Sequence, residues 1–600
     1  MTGNENIEYN LPTDAYVNFD AVSLKNFIIQ RLNENPKFTD QNYEGSNLSS
    51  LIDIIAFSYH VLLFYLNQTS TESQFSQASI YENMNRIVNL VGYKPTGKQT
   101  SIASVKCVAD STLPVDSYYL RKYSYFLVDN IQYTINNDFF FEKQTTEDEE
   151  IDSIGNNLIL YQGTIGEYPI YEAEGVDFET IPIVVESSGT RFISHGGITV
   201  YVKEQASGRW YEYQEAENLF LTTQTSRVYD LRLNENNHYE VKFGNDVFGK
   251  RLKAGDEVAI YYILSDGERG VISKNAINGN KLFNFNSSRF TQIYADVNAD
   301  NTSANIDLTN NSLLTFTNEL KSTPIGDAET VEDMRKNVPL AVSSQLRLVT
   351  LQDYESFIFK NLASVINSVK VVDNKQFMEE YIQYFYDICV DPNKVNRVLI
   401  NQVNFADSCD FNNVNLFVVP FFSIVEDGDY PNFLSESLKN LIIDTIGSKK
   451  MIGHEIVPRD PVYMAFDIGF SNDASDLDTI KQSKLVVTRD TNNKISRERI
   501  RNSVQTEIKN FFNTSNIEIG DKLDLSQLNS SILAIEGVDN IKTVNTSTGD
   551  TYNGISFVSW NPVFEDSDIS IVDQNITLPY FKYPYFANPQ ALTNKIEISD

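Results

Sequence analysis

The chain has 600 residues, 41% hydrophobic and 22% charged, with a formal net charge of −33. That length exceeds one core, so roughly three to five domains are expected, and the apolar content excludes a wholly disordered chain. The acidic balance repels phosphate backbones and anionic lipid, which argues against general nucleic-acid binding and against docking on an acidic membrane surface.

In chain order, residues 1–14 read as a polar arm and lack the pattern of a signal peptide. Asp20 is placed to cap a helix over Ala21 to Asn33, with Pro36 just beyond its end. A second helix is predicted over about Asn47 to Asn67. Leu48, Leu51, Ile52, Ile55, Leu62 and Leu66 follow helical spacing there. Ile54, Phe57, Val61, Leu63 and Phe64 fill its other faces, so this helix needs more than one neighbour to cover it. The apolar run Leu51 to Leu66 holds Asp53 and His60, and reads as too short and too polar to span a bilayer. His60 reads as a core residue. A third helix is predicted over about Glu72 to Val91, with Ile80, Met84, Ile87 and Val88 in its stripe and Gly92 as its stop.

From Thr100 to about Phe290 the pattern turns to short strands between Gly, Asn and Asp turns, among them SIASVKCVA, YSYFLVD, ITVYVK and EVAIYYIL. Residues 291–325, rich in Asn, Ser, Thr and Asp, read as a linker. From Gly326 onward helices and strands mix. Thr350 and Asp353 form a capping box for a helix through Asn361. VINSVKVV and NVNLFVVPFF read as strands around an irregular insertion at 374–412. Alternation from Val462 to Phe470 marks a half-buried strand. A helix over Arg497 to Phe512 follows, then a turn, a short helix and a strand up to about residue 545. The last fifty residues read as loop-like. The fold class is therefore multi-domain α+β: a helical arm (1–97), a β-rich middle domain (98–290), a linker (291–325), an α+β domain (326–475) and a small α+β domain with an irregular tail (476–600).

No pattern of residues specifies a catalytic, cofactor or metal site. GYKPTGK at 92–98 approaches a phosphate-binding loop, but Gln99 stands where a hydroxyl is needed and Pro95 removes a backbone donor. Asp296 to Asp307 approaches a calcium loop, but Asn301 replaces its glycine and Asp307 the usual Glu. Cys107, Cys389 and Cys409 are odd in number and widely spaced, which suggests neither a disulfide framework nor a zinc site and fits a reducing compartment. His60, His195, His238 and His454 are isolated, and no GxSxG occurs.

Four separated motifs carry a resemblance. The first runs from Glu44-Gly45-Ser46 through Leu51 to Ala56 and closes at Leu90 to Pro95. The second is Tyr239 to Asp246 with Gly249, Ala254-Gly255-Asp256 and the strand to Tyr262. The third is Gly326 to Ile358, with Arg347, Val349, Thr350, Asp353 and Tyr354. The fourth is Glu536-Gly537-Val538. In this order they resemble the J-like baseplate family of contractile phage tails, and within it the large wedge subunits. The usual Phe-Gly-Asp-Gly turn is Phe243-Gly244-Asn245-Asp246 here, and nothing after about residue 550 matches.

The resemblance implies a structural virion protein without enzymatic activity, assembled in the host cytoplasm and needing no cofactor. It implies self-association into a dimer-based inner ring around the tail hub, with no nucleic-acid partner and no direct membrane insertion, and a smaller helical partner taken into a bundle. It also implies other wedge and sheath-proximal neighbours, and a change of shape on sheath contraction. The residues add their own support. The arm carries more apolar surface than three helices can bury, so Leu48, Leu51, Ile52, Ile55, Leu62, Leu66, Ile80, Met84, Ile87 and Val88 are the candidate partner interface. A receptor-binding adhesin is the alternative suggested by the acidic, aromatic β-rich middle, and a tail-associated hydrolase is a third reading.

Overall fold

A computed structural model describes residues 25–26, 28–30, 47–109, 117–142, 153–185, 190–234, 238–298, 306–307, 314–344, 347–374, 376–377, 413–421, 431, 433–473, 476–490, 495–514, 516–563 and 567–599. The chain divides into two compact units. One comprises Met1–Tyr93 with Thr330–Val338, the other Lys94–Glu329 with Pro339–Asp600.

The smaller unit is helical where described. Its long helix spans Asn47–Glu72 and a shorter one Tyr81–Leu90. The third helix therefore starts nine residues after its predicted start at Glu72, just beyond the first residue of its apolar stripe. The reason is Glu72, whose carboxylate folds back to accept hydrogen bonds from the Ser79 hydroxyl (2.6 Å), the Ile80 amide (3.1 Å) and the Asn83 side chain (3.2 Å). It satisfies donors at the next helix's start, and the chain between must turn to let it. Ile52, Ala56, Ala78, Met84, Val88, Met334 and Val338 are buried. Arg335 donates to the Ala78 carbonyl at 2.7 Å, tying the 330–338 segment to this unit. Of the predicted helix 21–33, residues 25–26 and 28–30 are helical and the rest lies outside the described residues.

In the larger unit, a six-stranded sheet runs in the order 282–283, 125–128, 131–134, 153–162, 102–109, 314–317. Val105, Cys107, Phe126, Tyr133, Leu158 and Phe316 pack on one another there. A second sheet contains Phe192–Lys203 between Glu257–Ser265 and Trp210–Glu215, with Tyr239–Lys242 farther along. Helix Ser288–Val297 lays Phe290 on Tyr123 (ring centroids 4.9 Å apart), Tyr201 and Tyr261. Residues 291–325, read as a linker for their polarity, thus include most of a capped helix and the strand Leu314–Thr317, which pairs with Lys106–Ala109. A few apolar positions, Phe290, Ile293, Leu314 and Phe316, suffice to anchor them.

The C-terminal part forms further sheets. Ile366–Asp373, Asn413–Pro420 and Glu455–Arg459 pair with one another beside helices Leu351–Asn361 and Glu436–Ile446. The capping box is present: Thr350 Oγ1 accepts from the Asp353 amide, and Asp353 accepts from the Thr350 amide at 2.8 Å. The insertion at 374–412 lies outside the described residues apart from 374, 376 and 377.

Two expectations fail here. Strand Val462–Ile468 is covered on both faces rather than half-buried, so its alternating pattern reflected a buried Asp467, not solvent. The stretch after 550 is sheet-forming: Phe557–Asn561 pairs antiparallel and Lys582–Phe586 parallel with that same strand. Strands of two to six residues leave too short a periodicity to read from sequence. One core joins Val372 and Phe417 to Leu485, Val504 and Ile596, across the boundary expected at 475.

Candidate assembly interface

The Asn47–Glu72 helix spans about 39 Å at 1.5 Å per residue. No Gly or Pro interrupts it, and two of its hydroxyls turn back on their own backbone. Ser58 donates to the Ile54 carbonyl at 2.8 Å and Thr69 to that of Tyr65 at 2.7 Å. Its one charged residue before Glu72, Asp53, is paired with Lys25 at 2.7 Å. Much of the rest of its surface up to Leu66 is apolar. Leu51, Ile54, Ile55, Phe57, Tyr59, Leu62, Phe64, Tyr65 and Leu66 are each between 44% and 65% exposed.

Among the candidate interface residues, Leu51, Ile55, Leu62, Leu66 and Ile80 are exposed. Ile52, Met84 and Val88 are buried within the chain, Ile87 is half-buried, and the side chain of Leu48 lies outside the described residues. Candidate residues thus fall into two sets, one facing outward and one already packed inside. The exposed Ile54, Phe57, Phe64 and Tyr65 belong with the first set. Their signal was the apolar character of more than one face of the helix. His60, expected in a core, is exposed on the same helix.

Burying a large apolar side chain contributes about 1.5–3 kcal/mol. Covering most of these nine would offset the roughly 4–15 kcal/mol lost when two molecules associate. Residues Ser49–Glu72 are also long and apolar enough, by length and composition, to cross a membrane, contrary to the reading of the shorter run Leu51 to Leu66. The Asp53–Lys25 ion pair and the His60 imidazole would each have to leave water in such a setting.

Elsewhere the described residues contain no group of three or more His, Cys, Asp or Glu placed to hold a metal ion. Asp296 lies in helix Ser288–Val297, where its carboxylate accepts from the Trp210 amide at 3.2 Å and its carbonyl accepts from Arg209. Residues 299–305 of the candidate calcium loop lie outside the described residues. The 94–98 part of GYKPTGK forms an extended, mostly buried strap, not a loop opening a helix. Cys107 is buried, which pushes its thiol up to about 12.

No family model matches the chain. A relative is baseplate wedge protein gp6 of Enterobacteria phage T4, 22% identical over 375 residues, which are 60% of this chain. The chain spans about half that relative's length, 52%. A chain in the cryo-EM structure of the anti-feeding prophage baseplate, 6-fold symmetrised, aligns over 95% of this chain and 98% of its own, at 9% identity and a TM-score of 0.29. A score of that size does not establish a shared fold.

Proposed function

We propose that the chain is a structural, non-enzymatic component of a phage tail baseplate wedge. In this reading it self-associates in the inner ring around the tail hub, joins wedges, and takes a smaller helical partner onto its arm. It passes on the conformational change that accompanies sheath contraction. The similarity to a baseplate wedge protein supports the baseplate role. The observation that carries the assembly role is the Asn47–Glu72 helix, apolar around most of its circumference and exposed along Leu51–Leu66. Exposed apolar surface of this extent marks a protein or membrane interaction site. The occupant is a helix, because a rod of about 39 Å with i, i+3 and i+4 apolar spacing presents ridges that another helix fills.

Light scattering on size-separated full-length protein, alone and with co-expressed baseplate partners, tests this. Leu51→Glu and Ile55→Glu replace exposed side chains, so the β-rich domain stays folded while partner capture and higher assembly are lost. Intact assembly by both variants contradicts the proposal. Flotation of the wild-type chain with liposomes that is lost in the same variants would instead assign the helix to a bilayer.

A further inference from the structure

The chain crosses between its two compact units at 93/94, at 329/330 and at 338/339. On the larger unit's side, the first two crossings are held together. Lys94–Gln99 and Gly326–Glu329 run antiparallel, with the Gln99 amide donating to the Gly326 carbonyl and the Gly326 amide to the Gln99 carbonyl, both at 2.9 Å. Three residues on, the Glu329 amide donates to the Thr96 carbonyl at 3.1 Å, and the Thr96 amide donates to the Glu329 carboxylate at 3.2 Å. Helix Leu351–Asn361 adds the rest. Its Lys360 ammonium donates to the Lys94 carbonyl at 2.6 Å, and its Lys360 carbonyl accepts from the Gln99 side chain at 3.1 Å.

We infer that this antiparallel pair is a releasable clasp that fixes both chain segments where they leave the larger unit, with Lys360 and Glu329 as its catch. The inference stands apart from the baseplate reading, because it rests on intrachain bonds alone. Of three observations, the first and third point to release rather than to a permanent core, and the second shows how closely the closed pair is packed. First, the pair is an isolated bridge with a few flanking bonds, not a strand ladder, and such elements open at the low end of a protein's stability range. Second, its close approach leaves no slack. A Cβ at Gly326 would lie 2.9 Å from the Ser364 amide nitrogen, and one at Gly97 would lie 2.1 Å from the Tyr239 hydroxyl. Third, the catch is charged, with Glu329 buried and Lys360 half-buried. Burial pushes the Lys360 ammonium down to about 8; Glu329 and Glu217 oppose this, whereas Lys449 and Lys94 reinforce it. Opening the clasp returns that cation to water, which lowers the cost of opening.

Hydrogen–deuterium exchange on the full-length chain at pH 7 tests the clasp. Glu329→Gln and Lys360→Met are expected to speed exchange at the amides of Thr96, Gln99, Gly326 and Glu329 by about tenfold or more. The amides of Phe192–Lys203 and Glu257–Ser265 should exchange as before. Gly326→Ala disturbs the same pair without touching a charge, and should give the same local loss of protection. Unchanged exchange in all three variants would overturn the inference, since the catch would then hold nothing. Faster exchange throughout the larger unit would overturn it too, by making these residues ordinary core. Neither outcome bears on whether the chain is a baseplate component.

Discussion

Single residues carry most where a charge or an imidazole is buried. Asp467 lies inside the C-terminal core, and burial raises its carboxyl above the usual range, opposed by Lys595. The Lys595 ammonium binds that carboxylate and also donates to the Lys481 carbonyl at 3.0 Å. Lys595→Met is expected to destabilise the C-terminal region by about 3–5 kcal/mol, because it strands the carboxylate. The double change with Asp467→Asn should cost less than the sum of the two single changes, as read from the denaturant midpoint of that region's transition. Strict additivity would contradict the pairing. His195 gives a pH dependence. Burial holds its imidazole down to about 4, with Lys360 and Lys94 adding to the effect. Between pH 6.5 and 4 the unfolded chain therefore takes up a proton that the folded chain refuses, so stability falls as pH falls through that window. The loss is at most roughly 3 kcal/mol. Titrating stability against pH in wild type and His195→Gln should show a shallower acid slope in the variant. Neither role was legible in the sequence, where Asp467 read as the polar face of a half-buried strand and His195 as one of four isolated histidines.

At the scale of elements, caps were readable and folded-back contacts were not. The Thr350/Asp353 box was visible as a local spacing, and the structure forms both of its hydrogen bonds. Thr350→Ala should cost about 1 kcal/mol through loss of that cap, measurable as faster amide exchange at the first turn of Leu351–Asn361. Glu72 is the converse case. Its partners Ser79 and Ile80 are seven and eight residues away, and no helical spacing announces a carboxylate that leaves its own helix to cap the next. The Ser79 hydroxyl and the Ile80, Asn83 and Ser79 donors hold this carboxyl down to about 2. A depressed carboxyl contributes stability above its unfolded value near 4.5 and loses it as pH falls toward 2. Amides 79–90 should thus lose protection between pH 5 and 3 in the wild type, after correction for intrinsic rates. In Glu72→Gln, protection should be lower and flat across that range; a variant that still follows pH would contradict the cap. The strands after residue 550 were hidden for a related reason. They are short and pair with Val462–Ile468, some hundred residues earlier, so local pattern carries little of their signal.

For the whole molecule, the broad division into a helical arm, a β-rich middle and a mixed C-terminal part was legible from where the apolar period changes. The packing between C-terminal elements was not, because one core gathers side chains from 372 to 598. The candidate interface was legible in part. Apolar character on more than one face of the arm helix pointed to an external partner, but it could not separate Leu62 and Leu66, which face outward, from Ile52, which the chain covers itself. The strong negative charge sharpens the assembly argument. With a net charge of −33, two copies repel over most surfaces, whereas Asn47–Glu72 carries no Lys or Arg, an Asp53 already paired and a Glu72 already bonded. Contact along this helix avoids like-charge repulsion. The most direct test is the mass in solution of full-length protein, measured by light scattering across a concentration series, for wild type and for Leu62→Glu. The account predicts a wild type larger than a monomer, alone or with a helical baseplate partner, and a Leu62→Glu chain of unchanged fold that stays monomeric. A wild type that remains monomeric with every baseplate partner, or a variant that assembles as well as the wild type, would contradict it.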